Sequence, residues 1–282
     1  MKLYFKWGLI MAKAGDTKIS ITEDLYENEP AWRYNLQFKT YGIFEKVYTM
    51  RDTMDSFFSK DKGLLLYGNK HADENDYYLI DEWRFSYHNG ETSIHSKRYT
   101  PAKTKIDTVL TAKGKTYDML SATLLLRSLD WDDLEIKQTV PFCVAIGRDI
   151  INAAFRYTGQ EVIERDNIKY RTRHFFIDIY DEAFTQSKAA GEAWIGDDPN
   201  HIPIKIRAKL KIGAAEVYFE LQHPGTSVKR HINVESVRDN VPFIQRLVMP
   251  PPTLLSIPIL FPASHHFSNE DGHRCSFSIS LK

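Results

Sequence analysis

Few residue groups in this 282-residue chain have the types and spacing that chemistry needs. Asp130-Trp131-Asp132-Asp133 and Asp181-Glu182 offer carboxylates of the kind calcium takes. Neither shows the alternating ligands and turn glycine of a helix–loop–helix calcium site, so both read as solvated loops. His265-His266, His273 and Cys275 are zinc-type donors, but at no standard spacing. No metal or other cofactor is therefore expected. A nucleophile elbow, a phosphate-cradling glycine loop and a dinucleotide fingerprint are all missing. Triads can assemble from distant residues, so this alone does not exclude catalysis. The expectation is nevertheless a protein that is not an enzyme.

Two charged groupings remain. Lys205, Arg207, Lys209 and Lys211 alternate with apolar residues and form one cationic stripe. It reads either as a solvated strand face that blocks edge pairing or as a surface for an acidic protein or a membrane. Asp81 and Arg98 fall opposite each other on the face that carries Trp83 and Phe85. There they form either a rim ion pair or a pair that orients a polar ligand head.

What must position these residues is a sheet. Leu3, Phe5, Trp7, Leu9 and Met11 are apolar at every second position, as in a strand with one buried face. Ile19 and Ile21 continue the odd parity, so matching the buried faces calls for an odd-length loop, and Ala14-Gly15-Asp16 supplies one. Trp32 to Lys39 alternates without a fault, placing Tyr34 and Phe38 on one face. A short helical turn and then a strand are expected between Gly42 and Phe58. Asn89-Gly90 predicts a two-residue type I′ hairpin that stacks Tyr87 on Thr92, Phe85 on Ile94 and Trp83 on Ser96, with Glu82 opposite Lys97 on the other face. Further strands are expected at Thr104–Thr111, Thr139–Ile146, Asp149–Thr158, Glu161–Arg165, Ile168–Tyr180, Glu192–Gly196, Ile202–Ile212 and Ala214–Leu221. The one main helix is predicted at about 117–128, capped near Thr116, with Met119, Leu120, Thr123, Leu124 and Leu126 covering the sheet or closing a barrel end.

The expected architecture is mainly β, an antiparallel meander over residues 1–222 curled into an open or closed lipocalin-like barrel. Residues 223–282 are rich in proline, and a loosely ordered tail dispensable for the fold is expected there. Lys plus Arg equals Asp plus Glu at 37 each, so no net charge draws the chain to nucleic acid or to an anionic membrane. Two cysteines exclude a disulfide framework. No apolar run reaches the roughly 18 to 20 residues of a membrane span. Met1 falls directly inside the first strand pattern, and we expect an upstream segment.

The segments Trp7-Gly8-Leu9-Ile10-Met11-Ala12-Lys13-Ala14-Gly15, Asp118-Met119-Leu120-Ser121-Ala122 with Leu126-Arg127, and Trp194-Ile195-Gly196-Asp197-Asp198 leading to Ile202-Pro203-Ile204 resemble the domain of unknown function 3108 family. The likeness covers roughly residues 1 to 221 and looks like the version of Bacteroides-type bacteria. It implies an exported protein of the periplasm or envelope, with a barrel similar to the lipocalin-like fold of polyisoprenoid-binding proteins; the family has no established activity, so no catalytic residues can be carried over. The chain departs from the family in lacking its export signal and in how it ends after Gln222. The aromatic faces then predict a non-catalytic binder of a lipid-like or isoprenoid-like ligand, lined by Leu3, Phe5, Trp7, Tyr34, Phe38, Trp83 and Phe85. The alternative is a structural or partner-binding envelope component with a solid interior.

Overall fold

A computed structural model describes residues 1–180, 187–210 and 213–220. The expected tail at 223–282, Asp181-Glu182, Lys211 and the residues from His265 to Cys275 lie outside the described residues.

The chain forms one antiparallel sheet of fourteen strands bent into a nearly closed barrel. The first eight are β1 (Lys2–Trp7), β2 (Ile10–Tyr26), β3 (Glu29–Thr40), β4 (Thr53–Ser59), β5 (Leu65–Glu74), β6 (Tyr77–His88), β7 (Glu91–Tyr99) and β8 (Thr104–Lys113). The remaining six are β9 (Thr139–Ile146), β10 (Asp149–Arg165), β11 (Ile168–Ile179), β12 (Ser187–Gly196), β13 (Pro203–Lys209) and β14 (Ala214–Tyr218). Each strand pairs with its neighbour in sequence except at one junction: β14 returns to pair with β1, and β8 and β9 become the two sheet edges. The connection between those edges carries helix α2 (Ser121–Arg127), while α1 (Ile43–Val47) follows β3.

The Asn89-Gly90 hairpin folds as its sequence requires. Both residues take positive φ, and Trp83, Phe85 and Tyr87 pair with Ser96, Ile94 and Thr92. Glu82 pairs with Lys97 in register, yet its carboxylate accepts from the Tyr67 hydroxyl at 2.8 Å, and the Lys97 ammonium lies over the Tyr99 ring.

The first hairpin does not turn at Ala14-Gly15-Asp16. It turns at Gly8-Leu9, where Gly8 takes a φ of 57°, and β2 runs unbroken through residues 14 to 16. Gly15 is a close-approach glycine, since a Cβ there would collide with the Lys39 carbonyl oxygen. The two-residue turn sets β1 and β2 out of phase, and a bulge at Ala14 restores the register so that Leu3 meets Gly15. Similarly, the expected break near residue 159 is a bulge at Thr158 within one long β10.

Three apolar groups fill the interior. One gathers Phe142, Phe155, Phe175 and Ile177 from β9 to β11, and another gathers Tyr34, Met54, Phe58, Trp83 and Ile94 from β3 to β7. Helix α2 joins the two, placing Leu126 in the first and Leu120 and Leu124 in the second. A smaller group of Leu3, Ala14, Phe38 and Val217 sits where β1 meets β14.

Candidate functional site

The seven residues expected to line a ligand chamber are not brought together. Tyr34, Trp83 and Phe85 pack into the group around α2, and the Tyr34 hydroxyl lies 2.7 Å from Thr123 Oγ1 of that helix. Leu3 and Phe38, with Phe5 beside them, belong to the separate group at the β1–β14 junction. Trp7 is not interior at all: the turn at Gly8-Leu9 carries it to the hairpin tip, where it is 61% exposed. Shifting the turn toward the N-terminus removed the wall against which Trp7, Leu9 and Met11 would have packed.

Asp81 and Arg98 do pair as the hairpin register requires. Arg98 Nε donates to Asp81 Oδ1 at 2.5 Å and a second guanidinium nitrogen to Oδ2 at 3.0 Å. The guanidinium abuts Gly147 in the β9–β10 turn, and Ser96 Oγ donates to the Gly147 carbonyl. The pair therefore sits at the seam between the two sheet edges, where it joins β6 and β7 to the far side of the barrel.

The cationic stripe exists, but its first two members are engaged. Lys205, Arg207 and Lys6 converge on the buried Glu216 at 3.8, 3.5 and 3.8 Å, and Arg207 also meets Glu192 at 2.9 Å. Lys205 Nζ stands 4.2 Å over the Trp194 ring, whose other face stacks on His174 at 4.4 Å. Trp194 Nε1 donates to Glu161 at 2.7 Å, and Arg165 covers Tyr4 and Tyr218, so the β10–β11 hairpin reaches over this outer face. Burial lowers the Lys205 pKa, while the hydrogen bond from His174 holds Glu192 below its ordinary value. Lys209 is exposed, and Lys211 lies outside the described residues. Sequence reasoning missed Glu192, Trp194 and Glu216, because only the β12–β13–β14 register brings them beside the stripe, and Glu161, which reaches Trp194 from β10.

A third locus lies where α2 enters the barrel. Asp118 is fully buried and caps the helix, accepting from the Leu120 and Ser121 N–H groups at 2.8 and 2.7 Å and from Ser56 Oγ at 2.9 Å. The capping residue is thus Asp118, not Thr116. Burial outweighs these donors and pushes the Asp118 carboxyl up to about 6. A Cβ at position 68 would strike that carboxylate, so Gly68 makes room for it. Nearby, Phe58, Leu65, Tyr87, Lys115, Thr116 and Leu124 line a cavity of about 20 Å³. That is space for about one water, against the several hundred Å³ of a ligand pocket. Burial lowers the Lys115 pKa, and this lysine forms no ion pair among the described residues. The buried Thr116 hydroxyl has no hydrogen-bond partner among the described residues. Among the described residues, no group of three or more His, Cys, Asp or Glu could hold a metal ion.

A family model described as "Protein of unknown function (DUF3108)" matches residues 2–220. No curated protein matches. Among solved structures, the chain is similar to a β-barrel-like protein of domain of unknown function DUF1849 from Brucella abortus, with a TM-score of 0.53 and 9% identity. The match covers 78% of this chain and 95% of that one. At that identity the likeness shows the fold alone.

Proposed function

We propose, for a chain that belongs to the DUF3108 family of proteins of unknown function, a non-catalytic component of the bacterial envelope that acts from the outside of a filled β-barrel. The observation that carries this reading is the position of α2. The helix and its connection occupy the interior, and three of the aromatic residues expected to line a chamber, Tyr34, Trp83 and Phe85, pack into one group with Leu120 and Leu124 instead. A lipid tail would have to displace them. The envelope assignment is supported by the export typical of the family that the sequence resembles. Native mass spectrometry of the full chain purified from its natural host tests the proposal. A lipid-free mass that stays unchanged on lipid titration is expected, and a stoichiometric co-purifying lipid would overturn it.

One observation favours a second reading, an amphipathic ligand held at the mouth beside α2. Lys115 stands without a carboxylate partner among the described residues, and the Thr116 hydroxyl beside it is unsatisfied. A fatty acid would place its carboxylate there and its chain over Phe58 and Leu125, which requires the cavity to widen. Saturable binding of oleate that Lys115→Gln abolishes would establish this reading over the first.

A further inference from the structure

The β1–β2 hairpin projects an apolar tip into solvent. Trp7 is 61% exposed, Leu9 completely so, Ile10 64% and Met11 38%. Nothing lies within 4 Å of the place a Cβ would take at Gly8, the residue that makes the turn. At the same end of the barrel, α1 packs against β2 and leaves Ile43 74% exposed. These side chains stabilise no core, so the fold does not account for them.

Cations stand directly behind the tip. Lys209, Ala214, Lys6 and Met11 are register partners across β13, β14, β1 and β2, so Lys209 and Lys6 share one row. Lys13 lies opposite Tyr4 two residues farther back, and Lys13, Lys46 and Lys209 are all exposed. From Lys6 to Lys13 there is no acidic residue.

We propose that this tip is a membrane-docking element. Trp7, Leu9, Ile10 and Met11 enter the interfacial layer of an anionic bilayer, while Lys13 and Lys209 meet the lipid phosphates. An aromatic and aliphatic tip backed by a basic row matches an interface that is apolar within and negative at its surface. A convex two-residue turn offers too little area for a stable contact with a second copy of the chain. The inference goes beyond the function proposed above, because it rests on the tip alone and holds whether or not the interior takes a ligand.

Sedimentation of the full chain with vesicles of phosphatidylcholine and phosphatidylglycerol tests it. Binding that weakens with added salt is expected. Replacing Trp7, Leu9 and Ile10 together by Ser should weaken it about tenfold or more at an unchanged melting midpoint. Lys13→Gln with Lys209→Gln should sharply reduce the preference over pure phosphatidylcholine. Quenching of parent fluorescence by brominated lipid, lost in the Ser variant, gives a second readout, since Trp83, Trp131 and Trp194 are buried, the half-buried Trp32 pairs with Glu23 toward the far end of β2, and Trp7 is exposed. Absence of quenching, equal binding by the Ser variant, or a concentration-dependent dimer that the Ser variant loses would each overturn the proposal.

Discussion

Asp118 is buried while accepting three hydrogen bonds, and its carboxyl still rises from 3.8 to about 6. The folded chain therefore binds this proton more tightly than the unfolded one. The resulting stabilisation is complete below about pH 4 and is lost as pH rises through 6, amounting to roughly 3 kcal/mol at the limit. Urea midpoints should increase as pH falls from 7 to 5, and Asp118→Asn should flatten that slope; identical slopes in parent and variant would reject the assignment. Gly68→Ala would drive a methyl group into the same carboxylate and should destabilise at every pH. Glycines also mark where the sequence could and could not be read at this scale. Asn89-Gly90 had one good reading, whereas the turn read at Gly15 is made by Gly8. What separates them is the Lys39 carbonyl pressed against Gly15 from a strand more than twenty residues away, which no local pattern contains.

At the scale of elements, α2 was legible as a helix from its composition, and its apolar residues do face inward. That it would fill the barrel was not legible, because this depends on which strands lie opposite. Leu124 is buried against the β3–β7 group, so Leu124→Ala should cost about 2 to 5 kcal/mol in a denaturant titration. Thr123→Val leaves the buried Tyr34 hydroxyl without its partner and should cost about 1 to 3 kcal/mol. The lysine stripe of β13 shows the same limit. Its alternation was plain, but a solvated face was only half right, since the register with β14 sets Glu216 beneath it. Lys205→Gln with Arg207→Gln removes two of the three cations around the buried Glu216 carboxylate, leaving Lys6 and the Tyr218 hydroxyl, and should cost on the order of 1 to 3 kcal/mol, reduced by the partial exposure of Arg207. Lys209→Gln should cost almost nothing. Equal effects from the two would show that Glu216 does not depend on the stripe.

For the whole molecule, the order of strands decides where the barrel is weak. The chain joins its first and last described strands by a full antiparallel ladder, so the gap falls between β8 and β9, which are neighbours in sequence but not in the sheet. Across that gap the described residues are held by a short parallel bridge of Tyr117 with Val144, by Ser96 on Gly147, and by the Asp81–Arg98 pair seated against the same turn. Arg98→Met keeps most of the side-chain volume but leaves the Asp81 carboxylate buried and alone, which should cost about 3 kcal/mol. Asp81→Leu combined with Arg98→Met removes both charges and should return to within about 1 to 2 kcal/mol of the parent. Hydrogen exchange locates the effect: the single variant should lose amide protection in β7, β8 and β9 first, while the β1–β14 ladder keeps it. Protection lost evenly around the barrel would mean that the pair supports the sheet generally and that the seam is no weaker than the rest.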